Sequence, residues 1–240
     1  MDYRKEYEKW LASPALSEDE RAELKALEGN DKEIKARFYG PLEFGTAGLR
    51  GTMYTGLHNM NRHVIRWATQ GFANVIRAEG TEAMQKGVAV CMDCRNHSAE
   101  FARETACVMA ANGIHVRLFE SLRPTPELSF AVREYGCQAG VNVTASHNPK
   151  EYNGYKVFWA DGAQLPPQHA AAIADELTRI DIFTGVQSMD YEQALAEGRI
   201  ELLGEDCDRR FMANVMGMVN DYETVKKVAD DFGLVYTPFH

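Results

Sequence analysis

Short apolar runs alternate with helical patterns through the middle of the chain, and this alternation limits the possible folds more than any other feature. Apolar runs at 87–92, 115–119 and 139–144 predict three strands, and the segments 98–112 and 125–135 between them predict helices. A β-α-β-α-β order indicates helices layered around a largely parallel sheet. The expected fold class is therefore α/β, as a three-layer α/β/α domain with a mostly parallel mixed sheet.

The flanking segments predict three units along the chain. Residues 1–40 predict a solvated N-terminal helical arm, in which Ser17 and Glu20 form a capping box. Residues 41–204 predict the α/β domain, and residues 205–240 predict the truncated start of a second domain. Because a strand needs a sheet to pair with, a chain that stops just after it begins a strand is expected to be a fragment of a longer protein.

Further elements complete this prediction. The glycine-rich stretch 44–52 contains too few apolar residues for a core strand, and 181–204 is polar and predicts a linker. The helix at 98–112 is expected to be capped by Asn96 or Ser98. Helices are predicted at 60–77, 166–180, 207–219 and 222–231, and strands at 156–159 and 234–236.

Charge and cysteine content argue against several classes of protein. The formal net charge of −9 argues against general binding of nucleic acid or of membrane surfaces. The five cysteines have no regular spacing and predict no disulfide framework. Cys91 and Cys94 form a C-x-x-C pair, but Cys91 lies in an apolar run, which favours a buried thiol over a redox or zinc pair. No run is apolar for long enough to predict a membrane span, and a cytoplasmic location is expected.

The segment from Thr144 to Pro149 has the strongest chemical character. It follows a predicted strand directly and presents Ser146 with His147 beside it, at the end of the sheet where ligands bind in parallel α/β folds. A hydrolase serine would need flanking glycines, which are absent. A phosphoryl carrier would need nearby cations, and Lys150 is one of several close in sequence. The alternative is a polar turn in which Ser146 caps backbone groups.

Three other segments have a chemical and an ordinary interpretation each. Arg95 follows a predicted strand and would bind phosphate bidentately, or else form an ion pair at a helix start. Arg50 ends a glycine-rich stretch that would approach a phosphate closely, or else form a common turn. Lys156 would serve as an acid or base if its surroundings lower its pKa, or else is a surface lysine beside a strand.

Together, in this order and spacing, these segments resemble the α-D-phosphohexomutase superfamily, and most closely its phosphoglucomutase/phosphomannomutase branch. Thr144 to Pro149 matches the phosphoserine loop, which is the most specific motif of the family. The stretch 235–240 resembles the opening of the second domain of the family. Accompanying motifs are matched at 44–51, 60–61, 68–71, 93–95, 124–126 and 152–156.

The resemblance implies an enzyme that interconverts hexose 1-phosphate and hexose 6-phosphate through a phosphoserine and a 1,6-bisphosphate. Ser146 would carry the phosphoryl group and bind a metal ion through it. His147 and Lys156 would transfer protons, and Arg50 would neutralise the phosphate. Arg95 is expected to share that role, and Asn148 to bind the phosphate and shape the loop by hydrogen bonds.

The resemblance also implies what is missing from this chain. Relatives hold Mg²⁺ on an aspartate-rich loop of their second domain, which has no counterpart here, so this chain is expected to bind no metal and to be inactive alone. The full-length protein is expected to use Mg²⁺, with glucose 1,6-bisphosphate as activator. The expected substrate is a phosphosugar, with glucose favoured over mannose, glucosamine or pentose phosphates. A non-catalytic phosphosugar-binding domain is the alternative, and the oligomeric state stays open.

Overall fold

A mixed sheet forms the centre of the structure, a computed structural model that describes residues 2–46 and 48–237. The strands are β1 (Leu49–Thr52), β2 (Val88–Met92), β3 (Val116–Phe119), β4 (Ala139–Val143), β5 (Tyr152–Trp159) and β6 (Ile200–Leu203). Their order across the sheet is β1-β5-β4-β2-β3-β6. Strand β2 pairs in parallel with β3 and β4, and β3 pairs in parallel with β6, whereas β5 runs antiparallel to β4 and β1. The predicted mostly parallel mixed sheet is confirmed.

Helices cover both faces of this sheet. They are α1 (Tyr3–Ala12), α2 (Glu18–Lys25), α3 (Asp31–Phe38), α4 (Arg62–Ala78), α5 (Thr81–Lys86), α6 (Ser98–Ala111), α7 (Thr125–Glu134), α8 (Pro167–Leu177), α9 (Tyr191–Ala196), α10 (Glu205–Gly217) and α11 (Tyr222–Val228). Helix α4 packs against α6 and α8, and α7 packs against β2, β4 and α10. Alternate residues of β2 enter different cores: Val88 and Val90 join the larger one, and Ala89 and Cys91 join the one under α7. This two-sided burial produces the three-layer arrangement.

The N-terminal helices pack onto the domain. Trp10 is fully buried and makes edge-to-face contacts with Phe38, His63 and Phe183. The predicted capping box is present, because the Ser17 hydroxyl accepts from the amide of the third residue of α2 and that residue's carboxylate accepts from the Ser17 amide. The helical character of the arm is thus confirmed. The prediction that it is solvated is wrong, since its apolar face shares the core of the domain.

Two weakly patterned segments belong to the sheet. The predicted linker at 181–204 contains α9 and β6, and β6 extends the parallel sheet beside β3. The glycine-rich stretch contributes β1, an edge strand on β5. Both are four-residue edge strands, so they need few apolar residues and their partners lie far away in the sequence. Local patterns therefore missed them, as they missed the short helix α5.

Helix α6 begins differently from the prediction. Its N-cap residue is His97, in a left-handed conformation with φ of 63°, and no side chain caps the helix. The predicted caps Asn96 and Ser98 are therefore wrong. Ser98 instead donates its hydroxyl proton to Asp93 Oδ1 at 2.7 Å, inside the loop.

From α10 onwards, most of the described residues are exposed. Cys207 is buried beneath α7, and the Phe211 ring packs on Phe130. The predicted strand at 234–236 is wrong: these residues pair with no strand in the described structure and are 77–93 % exposed. Pro238, Phe239 and His240, part of the second-domain resemblance, lie outside the described residues, as does Ala47 in the glycine-rich motif. The domain boundaries stay predictions.

Within the described ranges, no helix combines the length and the apolar character that a membrane crossing requires.

Candidate functional site

The carboxyl ends of β2, β3 and β4 meet at one edge of the sheet and surround a cleft of about 540 Å³. The loop after β2 contributes Asp93, the loop after β3 contributes Arg123, and the segment after β4 contributes Thr144, Ser146 and His147. Parallel strands bring their carboxyl ends to the same edge, and for this reason loops distant in sequence form one wall. The predicted phosphoserine loop therefore lies beside this cleft.

Ser146 stands exposed at the rim of this cleft. Its φ of +56° is left-handed, a conformation that non-glycine residues rarely adopt and that concentrates at functional sites. The Ser146 amide donates to Thr144 Oγ1 at 3.0 Å, which ties the turn to the end of β4. The Ser146 hydroxyl lies 3.4 Å from His147 Nδ1, too far for the tight pair that activates a hydrolytic serine. The hydroxyl is thus presented to solvent on a constrained turn.

Arg95 holds this loop from below. Its side chain is only 1 % exposed. One terminal nitrogen donates to the carbonyls of Ser146 and Asn148, both at 2.7 Å. The other donates to the carbonyls of Pro149 and Tyr152 at 2.9 and 3.0 Å. These four bonds commit the guanidinium donors to the backbone, so what Arg95 still offers a phosphate on Ser146 is positive charge.

Asp93 anchors Arg95 in turn. Its Oδ1 accepts from the Arg95 amide at 3.0 Å and from the Ser98 hydroxyl at 2.7 Å. Its Oδ2 lies 3.3 Å from Arg95 Nε. The Asp93 carboxylate, which lines the cleft, is therefore used to hold the arginine and the start of α6.

Arg50 reaches the same loop from the opposite side and is exposed. It lies on the edge strand β1, and its Nη1 donates to Asn148 Oδ1 at 3.0 Å. This is the one hydrogen bond of its side chain among the described residues, so other guanidinium donors are available to a ligand. The backbone N–H of Asn148 also donates to the Ala145 carbonyl at 3.1 Å, and the backbone carbonyl of Asn148 accepts from Arg95. Asn148 therefore connects both arginines to the loop.

Lys156 lies on β5, half-buried, on the side of the sheet that faces this loop. Burial lowers the pKa of its ammonium, and the positive charges of Arg50 and Arg95 lower it further, although Asp93 acts in the opposite direction. The structure thus brings Ser146, His147, Asn148, Arg50, Arg95 and Lys156 to one sheet edge, and the roles predicted for them stay predictions.

The sequence analysis missed two polar residues in the cleft wall. Thr144 supplies the oxygen that fixes the Ser146 amide. Asn142 is 1 % exposed on β4, and its Nδ2 donates to Thr125 Oγ1 at 2.7 Å. A polar residue inside an otherwise apolar strand was visible in the sequence and was the available signal for Asn142.

An ion-pair cluster borders the cleft on its α10 side. Arg123 binds Asp208 through two nitrogens at 2.6 and 2.7 Å. Glu127, whose side chain is 5 % exposed, lies 4.0 Å from Arg123. Burial raises the pKa of Glu127 to about 7, and the hydrogen bond and negative charge of Asp208 raise it as well. Glu127 therefore keeps its proton to a higher pH than an exposed glutamate does.

Glu127→Gln is expected to weaken the dependence of stability on pH. Because the folded-state pKa of Glu127 lies above its ordinary value of 4.5, ionisation costs stability as pH rises from 4.5 towards about 7, and below 4.5 this cost is absent. The variant should exceed the wild type in free energy of unfolding at about pH 8 and match it more closely at about pH 5 in urea titrations. Glu120→Gln, at an exposed carboxylate 3.8 Å from Arg123, is the control. An unchanged pH slope in Glu127→Gln would contradict the raised pKa of Glu127.

The described residues fit a magnesium ion poorly. No group of three or more His, Cys, Asp or Glu side chains in this part of the chain is arranged to hold a metal. Asp93, the carboxylate at the cleft, is already engaged with Arg95 and Ser98.

Comparisons with known proteins agree with the fold. Residues 41–182 match the family described as phosphoglucomutase/phosphomannomutase, alpha/beta/alpha domain I. A phosphopentomutase from Homo sapiens is 40 % identical over 156 residues, covering 62 % of this chain and 26 % of that protein. A phosphoglucomutase from Staphylococcus saprophyticus is 31 % identical over 210 residues, covering 88 % and 37 %. The chain thus spans between about a quarter and two fifths of the length of these curated relatives.

The fold is also shared with solved structures. A phosphoglucomutase/phosphomannomutase family protein from Burkholderia thailandensis superposes with a TM-score of 0.56 at 21 % sequence identity, covering 74 % of this chain and 36 % of that one. At that identity the likeness shows the common fold alone.

Proposed function

The chain belongs to the phosphoglucomutase/phosphomannomutase family, and we propose that it is the phosphoserine-bearing part of a phosphosugar mutase that interconverts hexose 1-phosphate and hexose 6-phosphate. The observation that carries the proposal is the presentation of Ser146. Its hydroxyl is exposed on a left-handed turn at the carboxyl end of β4, and Arg50, Arg95 and Lys156 surround the loop. A phosphoserine adds about two negative charges, and these cations are placed to offset them.

The proposed reaction transfers one phosphoryl group twice. In the first transfer, the bond between phosphorus and Ser146 Oγ breaks, and a bond forms between phosphorus and the free hydroxyl oxygen of the sugar phosphate. The sugar hydroxyl loses its proton to a base, and Ser146 Oγ regains a proton. The bisphosphate then reorients in the site. Its other phosphoryl group returns to Ser146 by the reverse step, which restores the phosphorylated enzyme. Positioning and charge stabilisation are the main requirements of such a transfer.

Each neighbouring residue has a role in this proposal. Lys156 is the preferred base, because its lowered pKa makes the neutral amine more accessible than in an exposed lysine. His147, beside the Ser146 hydroxyl, is the group placed to return a proton to it. Arg50 binds the phosphate directly with its available donors, and Arg95 and Asn148 hold the loop in shape.

The identity of the substrate sugar is also a proposal. Glucose phosphate is proposed because the helical arm and the sequence of the phosphoserine loop resemble the phosphoglucomutase/phosphomannomutase branch. The matched relatives include a phosphopentomutase as well as a phosphoglucomutase, so a pentose phosphate is the competing substrate. Mg²⁺ in the full-length protein, activation by glucose 1,6-bisphosphate and a cytoplasmic location are further parts of this proposal.

Incubation of the purified chain with glucose 1,6-bisphosphate and Mg²⁺ is expected to add one phosphoryl group, about 80 Da by intact mass. Peptide mapping should place it on Ser146. Ser146→Ala should remain unmodified, whereas Ser121→Ala, a serine near Arg123, should be modified like the wild type. A phosphoryl group on another residue, with Ser146 unmodified, would contradict a carrier role. A pentose 1,5-bisphosphate that reacts faster would shift the substrate assignment to pentoses.

A further inference from the structure

A buried amide on β4 has an unused hydrogen-bond acceptor. The Nδ2 of Asn142 donates to Thr125 Oγ1 at 2.7 Å. The Oδ1 of Asn142 is buried and has no hydrogen-bond partner. Buried polar atoms without partners are uncommon and call for a physical explanation.

Lys156 is the neighbour that can supply the missing donor. Asn142 and Lys156 lie directly opposite each other in the antiparallel register of β4 and β5, so their side chains project from the same face about 4.5–5.5 Å apart at Cβ. The Lys156 ammonium has no hydrogen-bond partner among the described residues, and its flexible four-carbon stem allows it to turn towards its neighbour. An orphaned acceptor and an orphaned donor thus face each other across one strand pair.

We propose that Asn142 is a positioning residue for Lys156, whose ammonium donates a hydrogen bond to Asn142 Oδ1. The bond would hold the ammonium on the face of the sheet that carries Arg50 and next to the Ser146 loop. The proposal rests on the proposed function only in treating Lys156 as the proton-transfer group. The contact itself is a property of the sheet and needs no substrate.

The charges around Lys156 explain why such a partner matters. Arg50 on β1 and Arg95 in the loop after β2 destabilise the ammonium, as does burial, and Asp93 in the same loop stabilises it. Cys91, which lies beside Asn142 on β2, is a buried thiol whose pKa burial raises to about 12, so it stays neutral. Glu127 on α7 is directed to Arg123 and Asp208. Asn142 is therefore the neutral group on this face that can stabilise the charged lysine.

The test is the pKa of Lys156 in the full chain, measured by competitive labelling with trace acetic anhydride across pH and peptide mass spectrometry. In Asn142→Leu, which removes the acceptor at similar volume, we expect the pKa of Lys156 to fall by about one pH unit. In Asn142→Asp it should rise by at least as much. Thr125→Val removes the hydrogen-bond partner of Asn142 Nδ2 and lets the side-chain amide rotate, so it should lower the pKa of Lys156 by a smaller amount.

Controls separate this role from packing. Cys91→Ala disturbs the same buried row beside Asn142 and should leave the pKa of Lys156 unchanged, and exposed Lys150 serves as the internal reference. Opposite shifts in the Leu and Asp variants support the contact, because a structural defect would move both the same way. An unchanged pKa in both folded variants, or a rise in Asn142→Leu, would overturn it. Since the labelling needs no phosphoryl transfer, it tests the contact whether or not Ser146 acts as a phosphoryl carrier.

Discussion

Replacement of Arg95 by methionine is expected to lower the free energy of unfolding by about 3–5 kcal/mol, the cost of removing one partner from a buried ion pair. The Arg95 side chain is only 1 % exposed, and its loss would leave four loop carbonyls without their donor and Asp93 without its ion-pair partner. Urea unfolding measures the loss, and amide exchange over residues 146–152 should show that the loop opens. Arg95→Lys keeps the charge but not the fork and should be intermediate.

Arg50→Met is the matched comparison for Arg95→Met. Arg50 is exposed and makes one side-chain hydrogen bond, to Asn148, so its replacement should change stability by less than about 0.5 kcal/mol. It should nevertheless slow phosphoryl incorporation at Ser146, because a donor to the phosphate is lost. Equal stabilities for the Arg95→Met variant and the wild type would contradict the conclusion that Arg95 stabilises the loop. A large loss of stability in Arg50→Met would contradict the division of roles between the two arginines.

The second large effect concerns turnover. The purified 240-residue chain is expected to convert glucose 1-phosphate at a rate no higher than its Ser146→Ala variant, even where the wild type accepts a phosphoryl group. The described residues present Ser146 on an open rim, with the three cations Arg50, Arg95 and Lys156 near its loop and no arranged metal ligands. Catalysis of phosphoryl transfer depends on preorganised charge in a site closed to water, and an open rim does not provide it.

A coupled assay for glucose 6-phosphate measures this expectation directly. The positive control is a full-length phosphoglucomutase in the same mixture, and phosphoryl incorporation measured by mass on the same sample shows that the chain is folded and competent. Turnover of the wild-type chain clearly above that of Ser146→Ala would show that the loop and its cations suffice for the whole reaction.

Much of the architecture was predictable because it rests on local patterns. The alternation of apolar runs and helices predicted β2, β3, β4, α6 and α7 within a few residues, since a strand buried on both faces and an amphipathic helix each carry their own signature. The edge strands β1 and β6 carry no such signature. Each is four residues long and is stabilised by pairing with a strand far away in sequence.

The sequence by itself determined the α/β class and the place of Ser146, because a polar loop that follows a core strand of a parallel sheet must emerge at its carboxyl edge. Only the tertiary structure decided what the charged neighbours do. Arg50 meets Asn148 across 98 positions of sequence, Arg95 turns inward to the loop carbonyls, and Lys156 lies opposite Asn142, whose Oδ1 has no partner among the described residues. The physical reason is that a residue's type states which hydrogen bonds and charges it can offer, whereas strand register and burial decide which partner receives them.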